Sequence, residues 1–269
     1  MEVLLSLTLV MMADPAGVTQ ANLLDLGYSQ MYNLQFDHAH QSFTEWSREH
    51  PDDPMGPVSN AAAYLFSEFD RLHVLQSEFF MHDDRMGPAQ KLSPDPVVKQ
   101  NFEKALDETR QLADQELERQ PLNRNALFAG LLRLGLHADY LALIEKRYMA
   151  SLTDVKTGRA MAEKLLMIDP SFSDAYLAIG VENYLLSLKS APMRWLLRAT
   201  GAETDKRKGI EDLSLTAEKG RYLLPYARIL LAVAALRDKD VPKAKDLLEG
   251  LAKEFPQNPL YTKELSRLQ

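Results

Sequence analysis

Few residue types in this chain could do chemistry, and their spacing is unfavourable. There are six histidines. His38 and His40 flank Ala39, so on a helix they point apart and cannot both ligate one metal from one face. His50, His73 and His137 show no paired spacing, and HExxH is missing. His82-Asp83-Asp84 offers a cation some oxygens, but aspartates beside a loop are ordinarily solvated caps. Cysteine is absent, which removes disulfides, thiolate metal sites and cysteine nucleophiles. There is no GxSxG elbow, no phosphate-cradling GxxxxGK[ST] and no GxGxxG. Acidic pairs are abundant, but on exposed helix faces they serve as i,i+4 ion-pair partners. No catalytic residue, metal ligand or cofactor is therefore expected.

Charge narrows the partners further. Lysine and arginine total 31 against 38 acidic residues, so the formal charge is 31 − 38 = −7. A net acidic surface disfavours nucleic acid. One local basic cluster stands out, formed by Arg194, Arg198, Lys206, Arg207 and Lys208. It could hold an acidic tail, a phosphate or a lipid headgroup. The plainer expectation is the solvated side of two short helices.

The elements that must position any site are helical. Strand-like alternation is missing, and prolines fall at boundaries. The expected helices are 18–33, 36–49, 57–82, 97–120, 123–150, 154–168, 173–188, 205–218, 222–238, 241–254 and 259–268, with an exposed loop at 83–96. Asp95-Pro96 and Asn258-Pro259 read as a capping side chain followed by proline in the first turn, and Ser171 with Asp174 has capping-box spacing. Within Leu23 to Pro51, Leu26 and Gly27 are followed by Ala39, Phe43, Trp46 and Pro51. The same steps return at Ala232, Ala244, Leu248, Leu251 and Pro256. Gly158, Ala162 and Leu165 hold them before Pro170, and Gly180 takes the small crossing position of a further pair. This is the spacing of the tetratricopeptide unit, two antiparallel helices that cross at small residues. The predicted fold is an all-α solenoid of such hairpins, one domain over 18–269, with a short helical insertion near 190–204 and a polar last helix capping the array.

The C-terminal third carries a more particular pattern. Leu186, Ser187, Pro192, Leu196, Leu197, Gly201, Asp205, Gly209, Leu213, Gly220 and the Pro256–Pro259 segment resemble the tetratricopeptide-repeat protein 39 and inclusion-body-clearance family over about 178–261. The resemblance implies an all-helical repeat fold and brings no catalytic residue with it.

Arrays of this kind bind things in a concave groove lined by the first helix of each pair. Tyr28, Met31 and Tyr32 fall on that line in the first unit, and Tyr226, Ile229, Val233 and Arg237 in the last. Aromatic, methionine and arginine side chains suit peptide recognition. The expected function is a non-enzymatic scaffold that captures a peptide or helical segment of a protein partner. The competing expectation is that helix 57–82 fills the groove and makes these residues core. A rival function is a helical-array hydrolase or transferase, with a His/Asp/Glu site assembled from distant segments.

The N-terminus adds a third reading, an export-linked assembly factor. Val3 to Met12 is apolar and residues 1–17 have the length of a signal-like segment, but Glu2 stands where basic residues normally precede one. A periplasmic or secreted location follows if this is a signal remnant, and a cytoplasmic one if it is a short packing helix. Membrane association and oligomeric state stay open with it.

Overall fold

The structure is a computed structural model, and it describes residues 22–75, 92–188 and 205–268. Outside these ranges lie the 1–17 segment, residues 76–82 with His82, most of the 83–96 loop, the insertion near 190–204, and Arg194 and Arg198; the expected helix 57–82 already ends at Arg71, and His73 turns the chain. Among the described residues there are eleven α-helices and no strand. They are α1 Leu23–Tyr32, α2 Phe36–Glu49, α3 Met55–Arg71, α4 Pro96–Arg119, α5 Arg124–Asp139, α6 Tyr148–Ile168, α7 Tyr176–Ser187, α8 Lys206–Lys219, α9 Leu224–Arg237, α10 Val241–Glu254 and α11 Pro259–Arg267. Each packs on the next in the chain. The result is five hairpins, α1/α2 to α9/α10, closed by α11.

The second helices of all five hairpins share one sequence rule. Ala39, Phe43 and Trp46 precede Pro51, and Gly158, Ala162 and Leu165 precede Pro170. Thr109, Ala113 and Glu116 stand at the same offsets before Pro121, Gly209, Leu213 and Thr216 before Arg221, and Ala244, Leu248 and Leu251 before Pro256. The first two residues of every triplet are buried. Each helix then stops in the same way: His50, Gln120, Asp169, Gly220 and Phe255 return their N–H to the carbonyl of the triplet's last residue. The proline that follows at four of the five sites has no N–H to continue the ladder. The next helix is capped at once where a short polar side chain is present. Asp53, Asn123 and Asn258 accept from the N–H of Met55, Ala126 and Leu260 at 2.9, 3.1 and 2.9 Å. Phe172 holds the equivalent place before α7 and cannot cap, and that helix starts through a 3₁₀ turn at Ser173–Ala175.

The turns inside the hairpins repeat as well. Leu34, His73, Lys146 and Lys239 each follow a first helix and adopt φ of 59°, 59°, 59° and 63°. The N–H of Gln35, Val74 and Asp240 then reaches back to the carbonyl of Gln30, Phe69 and Ala235 at 2.9, 2.8 and 2.9 Å. This is the Schellman closure, made here with non-glycine residues in the left-handed position. Arg147 makes the matching bond to Leu141 at 2.8 Å, one residue longer, because Tyr140–Ile144 forms a π turn. The expected single helix over 123–150 is thus broken at 145–147, where Lys146 turns the chain.

Small residues set the closest crossings. A Cβ on Gly209 would lie 2.6 Å from the Tyr184 nitrogen and 2.9 Å from the Gly180 carbonyl oxygen, so α7 and α8 touch backbone to backbone there. Asp174 does not complete a capping box with Ser171. It turns inward and accepts from the N–H of Arg221 and Leu223 at 3.0 and 2.9 Å, clasping the α8–α9 connection.

The array closes on itself. Tyr32 donates its hydroxyl to the Tyr222 carbonyl at 3.0 Å, and Asn258 donates to the Tyr32 carbonyl at 2.9 Å. The Gln257 N–H reaches the Asn33 side-chain oxygen at 3.1 Å, and Arg221 holds Asp25 through two contacts of 2.8 and 2.7 Å. The first helix therefore lies against the connections before α9 and α11; the main hydrophobic cluster joins residues of α1 to those of α9, α10 and α11, and a second cluster lies between α7, α8 and α9 around Tyr184, Leu213 and Leu231.

Candidate binding site on the concave face

Closure decides where the expected groove residues go. Tyr28, Met31 and Tyr32 are 4%, 1% and 3% exposed, so they are core residues and not an open groove surface. The physical reason is that the last two units supply the third layer. Tyr28 packs between Phe43 and Tyr222 with ring centroids 5.3 and 4.8 Å away, and Tyr32 meets Phe66 and Phe255 at 5.9 and 5.5 Å. Helix α3 contributes Phe66 and Ser59, so the competing expectation holds in part, and the far end of the chain contributes Tyr222 and Phe255. Burial pushes the Tyr28 and Tyr32 hydroxyls well above the usual phenol range.

The residues expected from the last unit behave differently. Tyr226, Ile229, Val233 and Arg237 recur at helical spacing along one side of α9 and are all half-buried. Ile229 and Val233, with Leu236, line an apolar cavity of about 50 Å³ between α1, α3, α9 and α11. Met31 and Tyr32 form its opposite wall. Four residues picked from the two ends of the sequence thus converge on one cavity, while Tyr28, Tyr226 and Arg237 stand outside its lining.

At the start of this α9 stripe Tyr226 packs edge-on against Phe66, with ring centroids 5.6 Å apart, and donates its hydroxyl to Asp139 at 3.0 Å. Asp139 is the last residue of α5, just before the π turn. Burial among apolar neighbours pushes its carboxyl up to about 6, partly opposed by the tyrosine hydrogen bond. Asp139 as a whole residue is half-buried, at the C-terminal end of α5. Sequence reading missed Asp139. The signal that could have found it is a lone acid ending a helix that is otherwise buried, Arg124–Ile144. That stretch is long and apolar enough to cross a membrane by length and composition, but most of it is buried inside the fold.

The basic cluster is not a free positive surface where it is described. Lys206 pairs with Asp238, Arg207 with Glu211 at 3.0 Å, and Lys208 with Asp212 at 3.2 Å. The histidines do not converge. His38 is exposed, and His40 lies 2.8 Å from the Asn60 side-chain oxygen under the Tyr64 ring, where burial lowers its pKa. His50 packs on Trp46, and His137 pairs with Asp154 at 2.7 Å. No group of three or more metal-ligating side chains exists among the described residues.

No family model and no curated protein matches the sequence. Among solved structures, a thermophilic tetratricopeptide-repeat protein from Thermus thermophilus is similar, at 13% identity and a TM-score of 0.46, over 92% of this chain and 97% of that one. The tetratricopeptide-like fold itself rests on the five hairpins, their shared triplets and their shared turns.

Proposed function

We propose that this protein is a non-enzymatic interaction scaffold that takes up an apolar segment of a protein partner along α9. The observation that carries this reading is that Tyr28, Met31 and Tyr32 are buried whereas Ile229, Val233 and Leu236 are half-buried around a cavity, with Tyr226 half-buried one turn before them. Partly exposed apolar side chains in a concavity with few polar groups are what a protein–ligand contact uses. A cavity of about 50 Å³ is small, and suits the tip of one aliphatic side chain of a longer segment. Affinity capture from the source cell tests this, with Val233→Glu beside the parent chain and a thermal melt of both. A specific partner should be lost from the variant while its melt stays cooperative. Retention of every captured protein by a folded Val233→Glu chain refutes the α9 assignment.

A further inference from the structure

We propose that Asp139 is the polar anchor of this concave site, a carboxylate that receives the ammonium or guanidinium of a lysine or arginine in the bound segment. The proposal rests on the scaffold reading above for its setting, and on the pairing of acids throughout the fold for its content.

The buried acids of the described residues each have strong donors. Glu68 holds Arg71 and the Asp95 N–H, Glu182 holds Arg159, Asp212 holds Lys208, and Glu264 holds Arg267. Asp174 accepts backbone N–H groups from the α8–α9 connection, and the Arg221 charge acts on it. Such pairing is what burial of a carboxylate requires. Asp139, half-buried, is not held in this way. One of its oxygens accepts from the neutral Tyr226 hydroxyl, and the other has no partner among the described residues. The cations near it in sequence or on α4 are already engaged, His137 with Asp154 and Lys99 with Glu145. Among the described residues, Tyr226 is the one group that acts on the Asp139 charge. Beyond it, Tyr32 from α1 acts on Tyr226, and neither phenol titrates near neutrality.

The position also points outward from the fold's own needs. Asp139 lies where α5 widens into a π turn, a local irregularity that is frequent at functional sites. Its hydrogen-bond partner Tyr226 begins the half-buried stripe that runs through Ile229 to Val233. An apolar stripe with an unmatched anion at one end is complementary to a segment bearing aliphatic residues and a basic one. A carboxylate left without a cation costs stability, and such groups concentrate at sites of recognition and catalysis.

Two measurements test this. The first titrates the parent chain and Asp139→Asn at pH 7.5 with the probe peptide Ac-Leu-Ile-Lys-Leu-Leu-NH2 and its norleucine counterpart. The parent should bind the lysine peptide about tenfold tighter, and Asp139→Asn should bind both alike. Lowering the pH to 5 protonates Asp139 and should erase most of the lysine preference. The second follows the Asp139 carboxyl by ¹³C NMR through a pH titration with methylguanidinium, which should lower its midpoint. Equal binding of the two peptides by the parent, or a lysine preference that survives in Asp139→Asn, overturns the anchor. If neither peptide binds but methylguanidinium lowers the midpoint, the anchor stands and the α9 groove falls. If methylguanidinium leaves the midpoint in place and neither peptide binds, both fall.

Discussion

Replacing Tyr32 separates a closed array from an open one. In an open solenoid its ring would face solvent or a partner, and truncation would change stability by less than about 0.5 kcal/mol. Here the residue is 3% exposed, with its ring against Phe66 and Phe255 and its hydroxyl on the Tyr222 carbonyl. A buried aromatic removes roughly 150–200 Å² from water, which at about 25 cal/mol per Å² is ~4 kcal/mol, and the empty site adds a cavity term. Tyr32→Phe keeps the ring and loses only the hydroxyl, which leaves a buried carbonyl without its donor, at about 1 kcal/mol. At 2–4 °C per kcal/mol for a chain of this size, Tyr32→Phe should lower the melting temperature by about 3 °C and Tyr32→Ala by about 10 °C or more. Calorimetry or far-ultraviolet dichroism reads both. A double-mutant cycle with Phe255→Ala then localises the loss, because the two rings come from opposite ends of the chain. Coupling of about 0.5–1.5 kcal/mol is expected. Additive single effects, or a Tyr32→Ala chain that melts like the parent, would refute the closure.

Other substitutions follow from the same contacts. Lys239→Gly should stabilise by about 1 kcal/mol in a urea melt, since Lys239 is exposed at φ 63° and glycine adopts that region without strain. Gly209→Ala should destabilise by about 2–3 kcal/mol in the same melt, because the new methyl meets the backbone of Tyr184 and Gly180, which can yield only by separating α7 from α8. Asp174→Ala should cost about 3 kcal/mol by leaving the Arg221 and Leu223 N–H groups without an acceptor, with Asp174→Asn intermediate. Asp139 is held at about 6 in the fold against about 3.9 when unfolded, so the native state binds the extra proton between those values. Its contribution is therefore fully present below about pH 3.9 and lost as the pH rises through 6; Asp139→Asn should stabilise the chain by about 1–2 kcal/mol at pH 8 and change little at pH 4.

Much of the fold was legible because the unit's punctuation is local. Helix α10 and the caps at Asp95 and Asn258 follow from short side chains and prolines that act on their nearest neighbours. The triplet before Pro121 was harder to see, because threonine and glutamate replace the usual apolar residues, and the one before Arg221 because arginine replaces proline. The break at Lys146 was hidden since 123–150 keeps a helical apolar pattern across it, while the π turn and left-handed residue that end α5 have no composition signature. The expected groove residues were picked by the rule that first helices line the concave face. What no local pattern reveals is the curvature that brings α1 onto Tyr222 and Phe255, so the same rule pointed to core in one unit and to a half-open face in another.

The hairpins differ in how they turn, and the closing contacts link the first to the last. The first and last hairpins join their helices by short turns at Leu34 and Lys239, and these two units meet edge to edge. The hairpins between them carry more chain at the same turn position: 72–95 between α3 and α4, the π turn and 145–147 between α5 and α6, and 188–205 between α7 and α8. The contacts of Tyr222, Phe255 and Asn258 with α1 come from the connections between hairpins. The closing contacts thus hold the C-terminal end of α1, where Tyr32 and Asn33 bond to Tyr222, Asn258 and Gln257. Asp139 reaches this closure through Tyr226 in the first turn of α9, next to Tyr32, so a change at Asp139 acts beside the contacts that close the array and on the start of the half-buried α9 stripe at once.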